Sequence, residues 1–248
     1  MMRARVVLGG ALVVATWSVV SAFSLVDTLF LATPWDVGAR LLQLSLSGRL
    51  FVDLAYTLGR ALLGLCLSAA IGVPLGLLLG WSKGARDWLE IPLEFSRSVP
   101  APAIFPLLLL LFGIGDLAKV AGVVFACLFP IVVQTAYGVI NGNRARILLV
   151  RRMGFTQSQL MIKVVGPEAL PYIFVGLRNA LSLSLIATVV SEMLMAGQVG
   201  LGYSIFNAYQ TFRIPEMYAY IVVTGLLGWV LNRLFVVYER KVLHWVGR

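Results

Sequence analysis

The feature that most constrains this fold is a series of apolar runs, each close to the length that crosses a lipid bilayer. The sequence is 60% hydrophobic and 12% charged, whereas a typical soluble domain has about 25% charged residues. A soluble chain of 248 residues cannot bury so much apolar surface, so the bilayer must solvate most of it. The sequence therefore predicts an all-α polytopic membrane protein.

Six runs are predicted to be transmembrane helices, because each is near the roughly 20 residues that a membrane helix needs. They cover residues 6–30, 54–80, 99–115, 117–140, 169–195 and 217–238. The first is longer than the core of a signal peptide and lacks a clear cleavage site, so we expect it to be retained. The third has prolines crowded at its start, which predicts a short or tilted helix.

The lysine and arginine residues are distributed unequally between the connections. If the N-terminus is cytoplasmic, thirteen of them lie in inner segments and four in outer segments, with three more in or at the edges of spans. Basic residues accumulate on the cytoplasmic side of membrane proteins, so both termini and the central connection are predicted to be cytoplasmic. This topology accounts for the net charge of +9 and argues against nucleic-acid binding.

A long basic segment at 141–167 separates the fourth and fifth predicted spans. It contains five basic residues and no acidic residue. Apolar side chains recur at near-helical intervals, and Gly154 divides the segment into two short helices. Pro167 is predicted to mark the entry into the fifth span. Such a hairpin could lie on anionic lipid or fit a groove on a cytoplasmic partner. The turn favours the partner, since a lipid-bound segment gains nothing by standing away from the surface.

The fifth predicted span is the most polar, and its polar residues are candidates for lining a translocation pathway. They are Arg178, Ser182, Ser184, Thr188, Ser191 and Glu192. Charges inside a membrane are costly and suggest function. Arg178 and Glu192 lie about 21 Å apart along a helix, so they cannot pair with each other. Because helical Ser and Thr often bond to their own backbone, the alternative is polarity without a pathway.

Small residues recur every four positions on the second predicted span. They are Gly64, Ser68, Gly72, Gly76 and Gly80. This spacing forms a groove that lets another backbone approach closely, and we favour packing within the chain over a homodimer seam. The glycines at 197, 200 and 202 follow the fifth span. They lack the strand and the Lys-Ser/Thr pair of a phosphate-binding loop, so they predict a gate or a helix break on the outer side.

The sequence contains none of the common catalytic motifs. HExxH, GxSxG and the Walker A pattern are all missing, and no His or Cys residues cluster. Cys66 and Cys127 fall inside apolar runs, where small packing residues are expected. We therefore predict no catalytic residue and no metal site, and expect that the energy for any transport comes from another chain.

Several segments resemble the permeases of binding-protein-dependent ABC importers, particularly the nitrate, sulfonate and taurine branch. The resemblance covers residues 50–248, whereas residues 1–49 share only a span followed by an outer segment. The segments that carry it are IGVPLGLLLG (71–80), RSVPAPAIFP (97–106), LFGIGD (111–116), Phe129–Pro130, GLRNA (176–180), Ser191–Met193, GLGY (200–203) and Tyr238–Lys241. The implied domains are an N-terminal helix with an outer segment, 1–49, and a permease domain, 50–248.

In this family a cytoplasmic loop carries Glu-Ala-Ala, three residues, Gly, nine residues and Ile-x-Leu-Pro. Gly154 and Pro167 fall at the two fixed positions, but Leu-Leu-Val stands in place of Glu-Ala-Ala. The resemblance implies that this coupling segment (residues 141–167) transmits ATPase closure to the pathway. The implied coupling residues are Leu148, Leu149, Val150, Arg151, Gly154, Leu160, Met161, Val164 and Pro167. The apolar replacement suggests docking by packing, or an altered ATPase partner.

The resemblance implies a permease subunit of an ATP-driven importer in the bacterial inner membrane. The expected partners are a second permease copy, cytoplasmic ATPase subunits that bind ATP and Mg, and an external solute-binding protein. The solute would be a sulfonate-, taurine-, nitrate- or bicarbonate-like anion or a small heterocycle, and no cofactor is expected on this chain. The alternative is an ion-coupled secondary transporter, which needs mid-membrane carboxylates and inverted repeats. Only Glu192 is a candidate carboxylate. A membrane-embedded enzyme is disfavoured because no catalytic set is present.

Overall fold

A computed structural model describes residues 2–23, 27, 30–195 and 197–244. All regular secondary structure in these ranges is helical. The helices are α1 (Met2–Ala22), α2 (Pro34–Leu46), α3 (Arg49–Trp81), α4 (Lys83–Ser98), α5 (Ala101–Phe112), α6 (Asp116–Ile140), α7 (Arg144–Arg152), α8 (Gln157–Leu160), α9 (Gly166–Leu194), α10 (Leu201–Gln210) and α11 (Ile214–Val242). A π-helical turn, Met161–Val165, joins α8 to α9. The predicted all-α class is confirmed.

Four helical segments among the described residues are long and apolar enough to cross a membrane: α3, α6, Gln157–Leu194 and α11. They contain most or all of the second, fourth, fifth and sixth predicted spans, which confirms the polytopic class. The predicted first span, 6–30, begins within the 21-residue α1, but residues 24–26, 28 and 29 lie outside the described part. The total of six spans therefore stays a prediction.

The third predicted span, 99–115, differs most from the structure. Its helix, α5, has only 12 residues and is about 18 Å long, too short for a hydrocarbon core of about 30 Å. Instead, α4 and α5 meet at a 98° bend and together form a broken span or re-entrant pair. Pro100 restricts the preceding Val99 to extended backbone (φ −77°, ψ 121°), which places the bend there.

The chain divides into two compact units. The smaller unit comprises residues 1–57 and 198–227, and the larger unit comprises residues 58–197 and 228–248. The larger unit therefore contains α4 to α9 and the coupling segment. The predicted division into 1–49 and 50–248 followed the resemblance rather than compactness, and it stays a prediction.

The core of the larger unit is built around α6, which packs against α5 and α9. Cys127 lies within this core and its thiol donates a hydrogen bond to the Ala180 carbonyl (3.3 Å). The predicted stripe on α3 also packs against α6. A Cβ added at Gly64 would collide with Val123, and one at Gly76 would collide with Thr135. The stripe thus allows close approach of α3 to α6 within one chain.

Candidate functional site

The coupling segment forms a hairpin, and hydrogen bonds and an ion pair hold the N-terminal end of its first arm, α7. The Asn143 side chain caps α7 by accepting a hydrogen bond from the Arg146 amide (3.1 Å). Glu168, in the first turn of α9, accepts a hydrogen bond from the Asn143 amide (3.1 Å) and pairs with the Arg146 guanidinium. Sequence reasoning missed Glu168 because it lies just beyond the basic segment. An acid in the first turn of a helix was the available signal.

The turn of the hairpin depends on Gly154, which has a φ of +85° that L side chains rarely adopt. The second arm begins at Thr156, whose side chain forms a capping box with Gln159. The sequence predicted a separate short helix here, and the structure differs. The second arm continues through the π-helical turn into α9, so Pro167 lies within a 38-residue helical segment, Gln157–Leu194. The wider backbone of a π turn accommodates the proline, which lacks an amide donor.

The predicted coupling residues include an exposed group and a buried group, while Val150 and Met161 are partly buried. On α7, Leu148 and Leu149 are 59% and 61% exposed, and Arg151 is also exposed. On the second arm, Leu160 is fully buried and Val164 is 9% exposed. These two side chains face the protein interior, so they anchor the hairpin rather than present an outer surface. The first arm carries an accessible apolar face, and on the second arm Ile162 is also exposed.

The polar residues of the fifth span lie on two different faces of α9. Ser184, Thr188 and Ser191 are buried. Their hydroxyls donate to carbonyls of their own helix at 2.9, 2.7 and 2.7 Å, respectively. Arg178 and Ser182 are exposed, and the Arg178 Nε donates to the Asn232 Oδ1 at 3.3 Å. The structure therefore does not bring the six predicted pathway residues together.

Glu192 belongs instead to a buried ionic network that sequence reasoning missed. Its carboxylate pairs with Arg60 on α3 at 2.6 Å, and the other guanidinium nitrogen of Arg60 pairs with Asp116 at 2.7 Å. Arg60 and Glu192 are 7% and 1% exposed. Lys119 is buried in α6 one turn after Asp116. These residues lie at the ends of spans that are predicted to reach the outer side of the membrane. Charged residues at the same predicted depth were the sequence signal that could have indicated the network.

In the smaller unit, the glycine-rich turn is anchored by Asp53. Its carboxylate accepts hydrogen bonds from the Gly200 amide (3.0 Å), the Ser204 hydroxyl (2.7 Å) and the Tyr220 hydroxyl (2.9 Å). Thr57 accepts one further bond, from the Leu201 amide (2.8 Å). Gly200 itself has a φ of +134°. These contacts satisfy free amides at the start of α10, so the turn is a capped helix start.

A cavity of about 480 Å³ opens in the larger unit where α4, α5, α6 and α9 meet. Two polar side chains line it, Arg97 at the end of α4 and Gln134 on α6. The remaining lining is Val99, Pro100, Ala101, Phe125, Ala126, Phe129, Pro130, Val133 and Leu183. Sequence reasoning assigned no role to Arg97 or Gln134, because they lie on helices far apart in the sequence.

Comparison with known families gives one extended match. Residues 72–244 match the family described as the binding-protein-dependent transport system inner membrane component. The match covers more than half of the chain and includes the coupling segment, the buried ionic network except Arg60, and the cavity.

Several curated relatives are similar over most of the chain. The chain is 34% identical to the aliphatic sulfonates transport permease protein SsuC of Bacillus subtilis, over 95% of this chain and 85% of the relative. It is also 34% identical to SsuC of Escherichia coli, over 94% and 88%. The bicarbonate transport system permease CmpB of Synechococcus elongatus is 31% identical, over 68% and 60%.

Among solved structures, an inward-facing structure of the MetNI methionine ABC transporter is similar in fold. The TM-score is 0.69 and the sequence identity is 21%, over 80% of this chain and 98% of the solved chain. At this identity the similarity supports the fold alone.

Proposed function

The chain belongs to the family of binding-protein-dependent transport system inner membrane components and is a permease subunit of an ABC importer. We propose that it works as a dimer, is driven by ATPase subunits and carries a small anion. Two copies would form the pathway, ATPase subunits would dock below, and a solute-binding protein would deliver the solute from outside. This chain would bind no cofactor, since ATP and Mg belong to the ATPase. Both termini would be cytoplasmic, as the basic connections indicate.

The observation that carries the docking proposal is the exposed face of α7. Leu148, Leu149 and Met153 are 59%, 61% and 69% exposed, and the exposed Arg151 and Arg152 flank them. Buried apolar side chains surrounded by charges are the usual anatomy of a protein interface. We propose that this face inserts into an apolar groove with an acidic rim on the ATPase. The leucines would replace the polar contacts that a Glu-Ala-Ala segment makes.

The hairpin is built to transmit force from that face to the membrane helices. Its first arm is tied to α9 through Glu168, and its second arm is continuous with α9. Leu160 and Val165 are 0% and 2% exposed, so the second arm cannot shift without disturbing the core. A displacement of α7 by the ATPase would therefore move α9 with it. Packed elements of this kind move as rigid bodies.

The proposed solute is a small organic or inorganic anion. The support is the similarity to permeases whose names specify aliphatic sulfonates and bicarbonate. The main alternative, an ion-coupled secondary transporter, needs a titratable carboxylate in the membrane. Glu192 is the candidate for that role, but its pairing with Arg60 at 2.6 Å holds it in a structural network. The importer remains the proposal that the observations favour.

The docking proposal is tested by co-purification with the ATPase encoded beside this protein. Replacing Leu148 and Leu149 with Ala should weaken ATPase retention about tenfold or more, because each buried leucine contributes roughly 1.5–3 kcal/mol. The control is Leu46→Ala, which removes a leucine that is 79% exposed from α2, outside the hairpin. Equal retention by the double variant and the control would refute docking through α7. Solute uptake driven by an ion gradient without any ATPase would refute the importer proposal.

A further inference from the structure

The cavity between α4, α5, α6 and α9 contains polar groups that the fold itself does not use. Arg97 and Gln134 both line it. Neither side chain has a hydrogen-bond or ion-pair partner among the residues that the structure describes. Arg97 is exposed and Gln134 is partly buried. The Gln134 amide is only partly buried and stays accessible to water, so it is open to a ligand in the cavity.

The surroundings of Arg97 leave its charge available. Glu90 and Glu94 line a neighbouring groove of about 220 Å³ together with Arg97. Neither carboxylate lies within ion-pair distance of the Arg97 guanidinium. Arg86, on the same helix, donates hydrogen bonds to the Leu79 and Gly80 carbonyls. Among the described residues that line the 480 Å³ cavity, Arg97 is the only charged residue. The cavity therefore has a net positive lining.

The rest of the cavity wall is apolar. Phe125 and Phe129 line it as an edge-to-face pair with ring centroids 5.2 Å apart, and Pro130 and Val133 continue this surface along α6. The volume of about 480 Å³ lies in the range of about 300–1,000 Å³ that is typical of small-molecule sites. A guanidinium and an amide beside such a wall match a ligand with an anionic head and an aliphatic tail, because guanidinium binds oxyanions in a bidentate manner.

We propose that this cavity is a binding site for the transported solute within the permease, and that it selects amphiphilic organic anions such as alkyl sulfonates. Arg97 would bind the anionic head, Gln134 would donate its amide hydrogens to the same oxygens, and the phenylalanines would contact the tail. The inference rests on the proposed importer function and deepens it. It implies that this chain contributes to solute selection in addition to the solute-binding protein.

The cavity is assigned to solute rather than to lipid because of its lining. A phospholipid tail needs an uninterrupted apolar surface, whereas Gln134 interrupts this one on α6. Gln134 lies six residues, or about 9 Å, before the end of α6, so its amide is inside the membrane span rather than at its edge. Polar residues at such depth generally face a protein interior or a pathway.

The direct test uses equilibrium binding of radiolabelled hexanesulfonate to the permease–ATPase complex in nanodiscs, without the solute-binding protein. Arg97→Gln should weaken binding about 10- to 100-fold, because a charge-assisted hydrogen bond is lost. Gln134→Leu should weaken it less. Lys83→Gln is the matched control, since Lys83 is an exposed cation on the same helix with no partner among the described residues. Methanesulfonate should bind more weakly than hexanesulfonate, by roughly fourfold for each methylene group that the wall buries.

A second measurement does not depend on loss of binding. Gln134→Cys, in a background with Cys66→Ala and Cys127→Ala, should react with a membrane-impermeant thiol reagent, and hexanesulfonate should protect it. Absence of labelling would mean that a second copy covers the cavity, and it would overturn the proposal. So would equal binding by the Arg97→Gln variant and the control, or anionic lipid that remains bound and blocks hexanesulfonate. ATPase co-purification, measured in parallel, separates these failures from failure of the importer proposal.

Discussion

The buried pair of Arg60 and Glu192 gives the most quantitative prediction. Replacing Arg60 with Met leaves the Glu192 side chain, which is 0% exposed, without its guanidinium partner. Removing one member of a buried pair costs about 3–5 kcal/mol, because the remaining charge is poorly solvated. Asp116 also loses its partner, but its side chain is 60% exposed and water can solvate it. We therefore expect the Arg60→Met cost to come almost entirely from Glu192.

The double variant Arg60→Met with Glu192→Leu separates the value of the pair from the cost of breaking it. It removes one positive and one negative charge, so the remaining Lys119 and Asp116 stay balanced. Replacing a buried pair with apolar residues is often neutral or stabilising by about 1–4 kcal/mol. The double variant should thus be more stable than Arg60→Met alone by several kcal/mol, although it carries one more substitution.

The assay is the unfolding equilibrium of the purified protein in mixed micelles titrated with sodium dodecyl sulfate. The matched control is Arg146→Met, which breaks the pair with Glu168, where Arg146 is 59% exposed. Breaking such an exposed pair costs about 0.2–1 kcal/mol. If Arg60→Met costs no more than this control, or if the double variant is as unstable as the summed single variants, the buried network does not have the energetic role assigned to it.

Three further predictions concern other parts of the chain. Gly154→Val should uncouple ATP hydrolysis from uptake without loss of folded protein, because valine strains the left-handed turn at φ +85°; unchanged uptake would count against the hairpin mechanism. Gly64→Val should lower stability by about 1–3 kcal/mol, since its Cβ would overlap Val123; Gly59→Val, at a position open within 4 Å, is the control in the same unfolding titration. Arg178→Ala should reduce assembly or uptake, and a fully active variant would remove Arg178 from the pathway.

The sequence-based predictions agree best with the structure for features that depend on residues close together in the chain. The membrane helices are local properties of apolar runs, so four predicted spans coincide with described helices that can cross a membrane. The hairpin turn at Gly154 is also local, because only a glycine readily adopts its φ. The third predicted span was wrong in detail. Three prolines predicted a short helix, but they did not predict the 98° bend that breaks the helical path between α4 and α5 at Val99.

The chemistry of the candidate site was less accessible from sequence. Composition identified Glu192 as an unusual charge, but Arg60 lies 132 positions away in the chain and only the tertiary structure brings the two within 2.6 Å. The same holds for Glu168 beside Arg146, and for Arg97 and Gln134 in one cavity. Conversely, Ser184, Thr188 and Ser191 looked like a polar pathway, yet each hydroxyl bonds to its own helix.

The sequence alone determined that this protein is a bundle of membrane helices with a basic hairpin, because hydropathy, basic residues and a glycine turn can each be recognised within a single segment. Only the tertiary structure decided which face of the hairpin is exposed and which charges are paired. It also decided which polar side chains line the cavity in the larger unit. The physical reason is that burial and ion pairing depend on neighbours from distant helices, whose identities no single segment specifies.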